Sequence, residues 1–384
     1  MERSNAPRRA WRRRICILSG AALVASWVPA VAQQPAQAPI KLGATFPLTG
    51  PFAGVAKEWI PALEMGVADI NARGGIKGRP VQLLFEDSRS TPEGGVAAYR
   101  KIVEVDKVSA VFSFMTNVVT AQIPLADQLK VPFLSGTEAP GLAAKGQFSF
   151  SHANRFNLAL PPLMQHFKAL GLKRVFVFLP DNAFGEIVSK AAQEAVKSTG
   201  AEHSEARFKL GQSEFRGVAA RAKEFNADAV MIATQGTADD GNLIKQLREL
   251  GVSAPVFMTG NMFGFKQWRD SVGSHAEGII LSGLNVDQSD PLAKEFLTRY
   301  QVKNGHTPSY FDASVYDMVM IFAAAIGQVG TDGVAIRDYI VRLKDFPSAM
   351  GGRFAMAADR QSVLPVNLWR VKGNQLVKIN PGDR

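Results

Sequence analysis

Two short polar clusters in the first half of the chain have side chains suited to holding a charged group without reacting with it. Met115-Thr116-Asn117 follows the apolar run Ser109–Phe114, and Ser135-Gly136-Thr137-Glu138 follows Val131–Leu134. Hydroxyls and an amide beside the free N–H groups of a helix start make an anion site. The same residues are also ordinary N-caps and turn formers. Glu138 is the acid best placed to meet an ammonium group, and it reads equally well as an exposed loop carboxylate. The second half has comparable positions after its own apolar runs: Phe184, then Gln235, then Asn261 and Met262. Phe52 and Phe114 add aromatic surface, while Trp59 is expected in the core. Arg155, where the chain is expected to cross, offers either a charge-assisted hydrogen bond to a ligand or a hinge salt bridge.

No reacting constellation accompanies them. The five histidines, His152, His166, His203, His275 and His306, have no metal-ligand spacing, and neither a nucleophile elbow nor a Walker A loop occurs. Gly50-Pro51-Phe52-Ala53-Gly54 is not a dinucleotide fingerprint, and Gly74-Gly75 sits at the wrong end of a helix to hold phosphate. Asp87, Asp181 and Asp228 read as strand-end and turn residues. The expectation is a binding protein, not an enzyme, with neither cofactor nor metal.

The start of the chain bears on partners and location. Met1–Arg14 carries six arginines against Glu2, Ile15–Val28 is an apolar run too short to span a bilayer comfortably, and Ala30-Val31-Ala32 is a small-residue cleavage site. A secretory signal peptide over residues 1–32 is expected, with a short leader at 33–39. Its removal lowers the net charge from +10 to about +5. No basic stripe interleaved with aromatics remains, so nucleic acid is not expected as a partner. The one cysteine, Cys16, leaves with the peptide, so no disulfide is expected.

The elements that must position the polar clusters are alternating strands and helices. Ile40–Phe46, a glycine-containing loop, an amphipathic helix from Lys57, a stop at Gly74-Gly75 and the strand Val81–Phe85 make one βαβ unit. Thr91-Pro92-Glu93 starts a second helix, and Val118–Lys130 reads as a third. Phe148–Phe156 is expected to cross to a second α/β unit, where Arg174–Leu179, Glu205–Phe208, Ala229–Ala233 and Val256–Thr259 alternate with helices. Gly278–Gly283 is expected to cross back and Met350–Phe354 to cross again. A hairpin around Lys372-Gly373-Asn374 should then finish the second unit. At 384 residues and 46% hydrophobic composition, the chain can bury two cores.

Thr45–Gly54 together with Ala68–Ser88 (ADINARGGIKGRPVQLLFEDS) resembles the N-terminal lobe of periplasmic solute-binding proteins of branched-chain amino acid ABC transporters. The likeness runs from about Ile40 to the C-terminus. It implies a type I periplasmic binding protein fold: α/β, two doubly wound Rossmann-like lobes joined by a three-crossing hinge. The first lobe would be 40–152 plus 284–348, the second 153–283 plus 349–384. It also implies that the loops at Thr116/Asn117 and Thr137 hold the carboxylate and amino group of a ligand, and that the partner is a membrane ABC permease. A periplasmic monomer is expected. Several positions depart from the family pattern. Asn261 stands where an acid often helps hold the amino group; Asn117-Val118, Val55 and Phe184 stand near cleft serines and tyrosines; Arg89 and Met115 replace a disulfide found in some relatives.

The expected ligand is therefore a branched-chain or other hydrophobic amino acid, or an aromatic or aliphatic organic acid. A buried ring removes roughly 150–250 Å² from water, which at about 25 cal/mol/Å² yields on the order of 4–6 kcal/mol. That gain lets a plain carboxylate bind without an ammonium partner. A second reading keeps the same fold but has it report a solute to a receptor or regulator.

Overall fold

The structure, a computed structural model, describes residues 37–153, 155–233, 238–373 and 375–383. The first lobe is built on β1 (Ile40–Phe46), α1 (Ala53–Ala72), β2 (Val81–Asp87), α2 (Pro92–Arg100), β3 (Ala110–Ser113), α3 (Thr116–Leu129), β4 (Phe133–Ser135) and β5 (Ser149–Ser151). Its five strands run parallel in the order β2-β1-β3-β4-β5. Strands of Val, Ile, Leu and Phe are buried on both faces because helices cover both.

Local chemistry sets the ends of these elements. Gly74 and Gly75 take φ of 92° and 76°, which stops α1 as the sequence predicts. Thr91 caps α2 by accepting the Gly94 N–H, with Pro92 in the first turn. Gln122 on α3 accepts from the Ser113 hydroxyl at 2.6 Å and donates to Thr45 Oγ1 and the Gly95 carbonyl, each at 3.0 Å. That buried network fixes the helix against β1 and β3.

The second lobe contains α4 (Phe156–Leu170), β6 (Arg174–Pro180), α5 (Ala183–Ser198), β7 (Glu202–Phe208), α6 (Arg216–Glu224), β8 (Ala229–Ala233), α7 (Ala238–Glu249), β9 (Val256–Thr259), α8 (Lys266–Val272) and β10 (Ile280–Gly283). Here the sequence expectation for Gly278–Gly283 needs correction. Those residues supply a strand, β10, parallel to β9 in the second sheet, and the chain leaves that sheet only afterwards. A short run between two turns carries no mark that distinguishes a last strand from a connection.

The chain then returns to the first lobe as α9 (Pro291–Asn304), α10 (Tyr310–Val329) and α11 (Gly333–Val341). The helix α10 lies along α1, close enough that a Cβ at Gly66 would meet Val319 at 2.9 Å. β11 (Phe346–Pro347), β12 (Arg353–Met356) and β13 (Ser362–Val363) form a small antiparallel sheet where the chain crosses for the last time. β14 (Asn367–Lys372) and β15 (Gln375–Ile379) are the expected hairpin, which extends the second sheet to the order β15-β14-β10-β9-β8-β6-β7. Residue 374 of its turn lies outside the described residues.

One buried carboxylate ties the crossings together. Asp317 on α10 accepts from the Ser348 hydroxyl at 2.6 Å and the Ala349 N–H at 2.8 Å, and lies 3.3 Å from His152 Nε2. His152 Nδ1 in turn meets the Ser362 hydroxyl at 2.7 Å.

Candidate functional site

In a doubly wound sheet, ligands bind beyond the C-terminal strand ends, where neighbouring strands diverge to opposite sides. In the first lobe these are the ends of β1, β3 and β4, which carry the polar clusters singled out from the sequence.

At the end of β3 the backbone turns sharply into α3. Met115 has φ of 73°, a conformation that costs a non-glycine residue on the order of 1–3 kcal/mol and is concentrated at functional sites. The turn places Thr116 in the first turn of α3, with its hydroxyl 3.0 Å from that of Thr137 in the loop after β4. Thr137 is held at two points: its carbonyl accepts from Ser151 Oγ at 2.7 Å, and its hydroxyl accepts the Ala139 N–H at 3.3 Å. Gly136 leaves room for the Phe114 ring, since a Cβ there would lie 3.2 Å from Phe114 Cδ2.

Glu138 is buried rather than exposed, and Tyr310 at the first turn of α10 donates its hydroxyl to Glu138 Oε1 at 2.6 Å. Burial, reinforced by the neighbouring Glu138 carboxylate, pushes the Tyr310 phenol well above its ordinary value, so it stays a donor. The carboxylate reaches the loop after β9, where a Cβ on Gly260 would stand 3.5 Å from Glu138 Oε2.

Phe114, Met115, Thr116, Gly136, Thr137, Glu138 and Phe311 from the first lobe face Phe184 and Met262 from the second around one cavity. Its free space is about 30 Å³, room for about two water molecules. A solute the size of leucine or benzoate therefore needs the lobes to part or the lining side chains to turn. Asn182 caps α5 and accepts the N–H groups of Phe184 and Gly185, which fixes Phe184 at that helix start.

Behind this lining lies an aromatic cluster. Trp59 is buried as expected, with ring centroids 4.0 Å from Phe114 and 4.8 Å from Phe311. Phe52 sits edge-on to Phe114 at 6.2 Å and backs the cavity without lining it.

Three further expected residues are placed elsewhere. Asn117 turns away, donating to the Ser90 carbonyl at 3.1 Å, because the second position of the helix faces α2 rather than the cleft. Arg155 pairs with Asp359, the salt-bridge reading, and does not line the cavity. Asn261 is buried beside Met262 and donates to the Leu284 carbonyl at 3.0 Å. Gln235 lies outside the described residues.

Sequence reasoning missed Tyr310 and Phe311. A signal was available: Ser309 and Asp312 have capping-box spacing, and in the structure each side chain bonds the other's backbone N–H. That box starts α10 where its first two aromatic residues enter the cleft. Among the described residues, no group of three or more His, Cys, Asp or Glu is placed to hold a metal ion.

A family model described as periplasmic binding protein matches residues 39–375. The Leu/Ile/Val-binding protein homolog 3 of Brucella melitensis is 27% identical over 330 residues, covering 82% of this chain and 87% of that protein. A Leu/Ile/Val-binding protein of Rhizobium johnstonii is 26% identical, covering 86% and 91%. Among solved structures, a leucine-binding protein from Thermotoga maritima superposes with a TM-score of 0.80 at 22% identity, covering 89% of this chain and 99% of that one. A solute-binding protein of an R. palustris ABC transporter, in complex with benzoate, gives 0.79 at 17% identity, covering 90% and 96%. These likenesses establish the type I periplasmic binding protein fold. With its family model spanning all but the ends of the sequence, the chain belongs to the periplasmic binding protein family.

Proposed function

We propose that this protein captures a small hydrophobic amino acid between its two lobes and delivers it to a membrane ABC permease. The observation that carries this reading is the pairing of opposite needs in one cavity. The Thr116 and Thr137 hydroxyls, with the N–H groups at the start of α3, suit a carboxylate, and the buried Glu138 suits an ammonium. A zwitterion presents one charge to each part of that lining, and hydrogen bonds to charged groups are the stronger ones. Phe114, Met115, Phe184, Met262 and Phe311 would surround its side chain. Relatives named for leucine, isoleucine and valine binding support this ligand class.

Closure is a hinge motion between lobes taken as 40–152 with 284–348 and 153–283 with 349–384; ligand contacts on both sides bias an open–closed equilibrium. The role is binding without catalysis. The chain acts as a monomer in the periplasm after cleavage behind Ala32, with no part in nucleic acid binding. A second reading, an aromatic carboxylate, is favoured by the three lining phenylalanines and by the benzoate-bound R. palustris neighbour.

Isothermal titration with leucine, isoleucine, phenylalanine and benzoate separates them. Leucine-class binding with no heat from benzoate supports the first reading, and the reverse pattern replaces it with the second. A ligand at 100 times its Kd raises stability by about 2.7 kcal/mol, so thermal shift gives an independent readout.

A further inference from the structure

A second cavity, far larger than the one in the cleft, stands on the far side of α10. It encloses about 540 Å³, within the range of small-molecule sites, and lies between the end of α1, α9, α10 and β11. Its floor is apolar: Ile76 and Phe296 are buried, and Met320, Ala323 and Phe346 are partly exposed. We propose that this cavity is a second binding site, for a small amphipathic anion such as a medium-chain carboxylate, independent of whatever the cleft takes.

The shape argument rests on Gly327. Near the end of α10, a helix position where glycine is unfavourable, an added Cβ would meet only Ile76 Cγ2, at 3.8 Å. Gly66 on α1 differs, because its Cβ would collide with Val319. Close packing therefore requires glycine at 66 and not at 327, and what glycine preserves at 327 is open space over the cavity floor.

The charge argument rests on the rim. Arg299 is already matched by Asp69 and Glu295, and Asp69 also accepts from the Tyr316 hydroxyl. Asp317 is engaged by Ser348, Ala349 and His152. Arg73 and Lys77 remain, both exposed, and neither forms an ion pair with the described residues. An apolar trough with two unmatched cations on one rim suits an apolar tail ending in an anion. A cation, or a neutral chain of the same length, leaves that rim unanswered.

Octanoate is the probe, with octylammonium as the control. Calorimetry on the wild-type protein is expected to show saturable octanoate binding and none of octylammonium. Gly327→Leu fills the trough while improving helix propensity, and should weaken octanoate by at least about tenfold. The double variant Arg73→Glu/Lys77→Glu, on exposed side chains that should not disturb folding, should weaken it similarly and begin to admit octylammonium. Thr116→Val, at the cleft, should leave octanoate binding here unchanged. No octanoate binding by the wild type overturns the proposal. So does binding indifferent to both the filling and the charge variants, or binding lost only in Thr116→Val. Should Gly327→Leu melt early, the charge variant decides alone.

Discussion

The two walls of the cleft are chemically unlike. The first lobe brings a pair of hydroxyls, a helix start, a buried carboxylate and a phenol that donates to it; the second lobe brings the ring of Phe184 and the thioether of Met262. The polar groups are thus confined to the first lobe, whereas apolar contact comes from both, Phe114, Met115 and Phe311 belonging to the first. A solute held by its charged end on the first lobe presents its tail outward, and burying that tail is what the second lobe gains by closing. Charged hydrogen bonds of roughly 1.5–3 kcal/mol each would fix which molecules are admitted. The apolar gain, about 25 cal/mol/Å², would set how far the closed state is favoured.

The sharpest break of that contrast is Glu138→Gln, which keeps an acceptor for Tyr310 but removes the charge. Removing one partner of a buried ion pair costs roughly 3–5 kcal/mol. Titration should therefore show leucine-class affinity falling by two to three orders of magnitude or more, roughly, while benzoate is unaffected or improved. Equal loss for both classes would move Glu138 from ligand contact to structural support.

Next in size is a pH effect at the start of α10, the helix that carries Tyr310. Burial, opposed by hydrogen bonds from Ser309 and Tyr300, pushes the Asp312 carboxyl up to about 6. An acid with a raised folded-state pKa holds its proton in the native state while the unfolded chain has lost it. Its contribution therefore favours folding below about pH 4 and fades as pH rises through about 6. Relative to Asp312→Asn, the wild type should lose up to about 3 kcal/mol between pH 4 and 7, as read by urea melts at each pH. A flat difference would remove Asp312 as the titrating group.

Smaller again is Thr116→Val, which removes one hydroxyl from the carboxylate cradle. A hydrogen bond to a charged group is worth about 1.5–3 kcal/mol, so both amino acids and plain acids should weaken at least about tenfold. Unequal losses would show that the hydroxyl pair does not hold a group common to both. Last, Asn117→Ala should change affinity by less than about twofold, because its amide serves the Ser90 carbonyl and not the cavity. A larger loss would mean that the side chain turns inward when the ligand arrives.

Much of the fold was legible before any coordinates. The strand at Ile40–Phe46, the glycine stop at Gly74-Gly75, the cap at Thr91 and the final hairpin all depend on neighbours within a few positions. The lining of the candidate site was only half legible. Thr116, Thr137 and Glu138 could be found because residues directly after a parallel strand must emerge at one edge of the sheet. Asn117, one position on, could not be assigned, since a single step along a helix rotates a side chain by about 100°. Tyr310 lies 172 positions from Glu138, and no local pattern announces a contact at that separation.

The sequence by itself determined that this chain alternates strands and helices, carries hydroxyls and an acid at strand ends, and has no reacting motif. These properties follow from composition and short-range spacing, which are written residue by residue. Only the tertiary structure decided that Glu138 is buried against Tyr310, that Arg155 pairs with Asp359 rather than lining the cavity, and that β10 is a strand of the second sheet. The reason is physical: burial, pairing and register are set by segments that meet after the chain has crossed between its lobes, and the energy of each contact belongs to both partners at once.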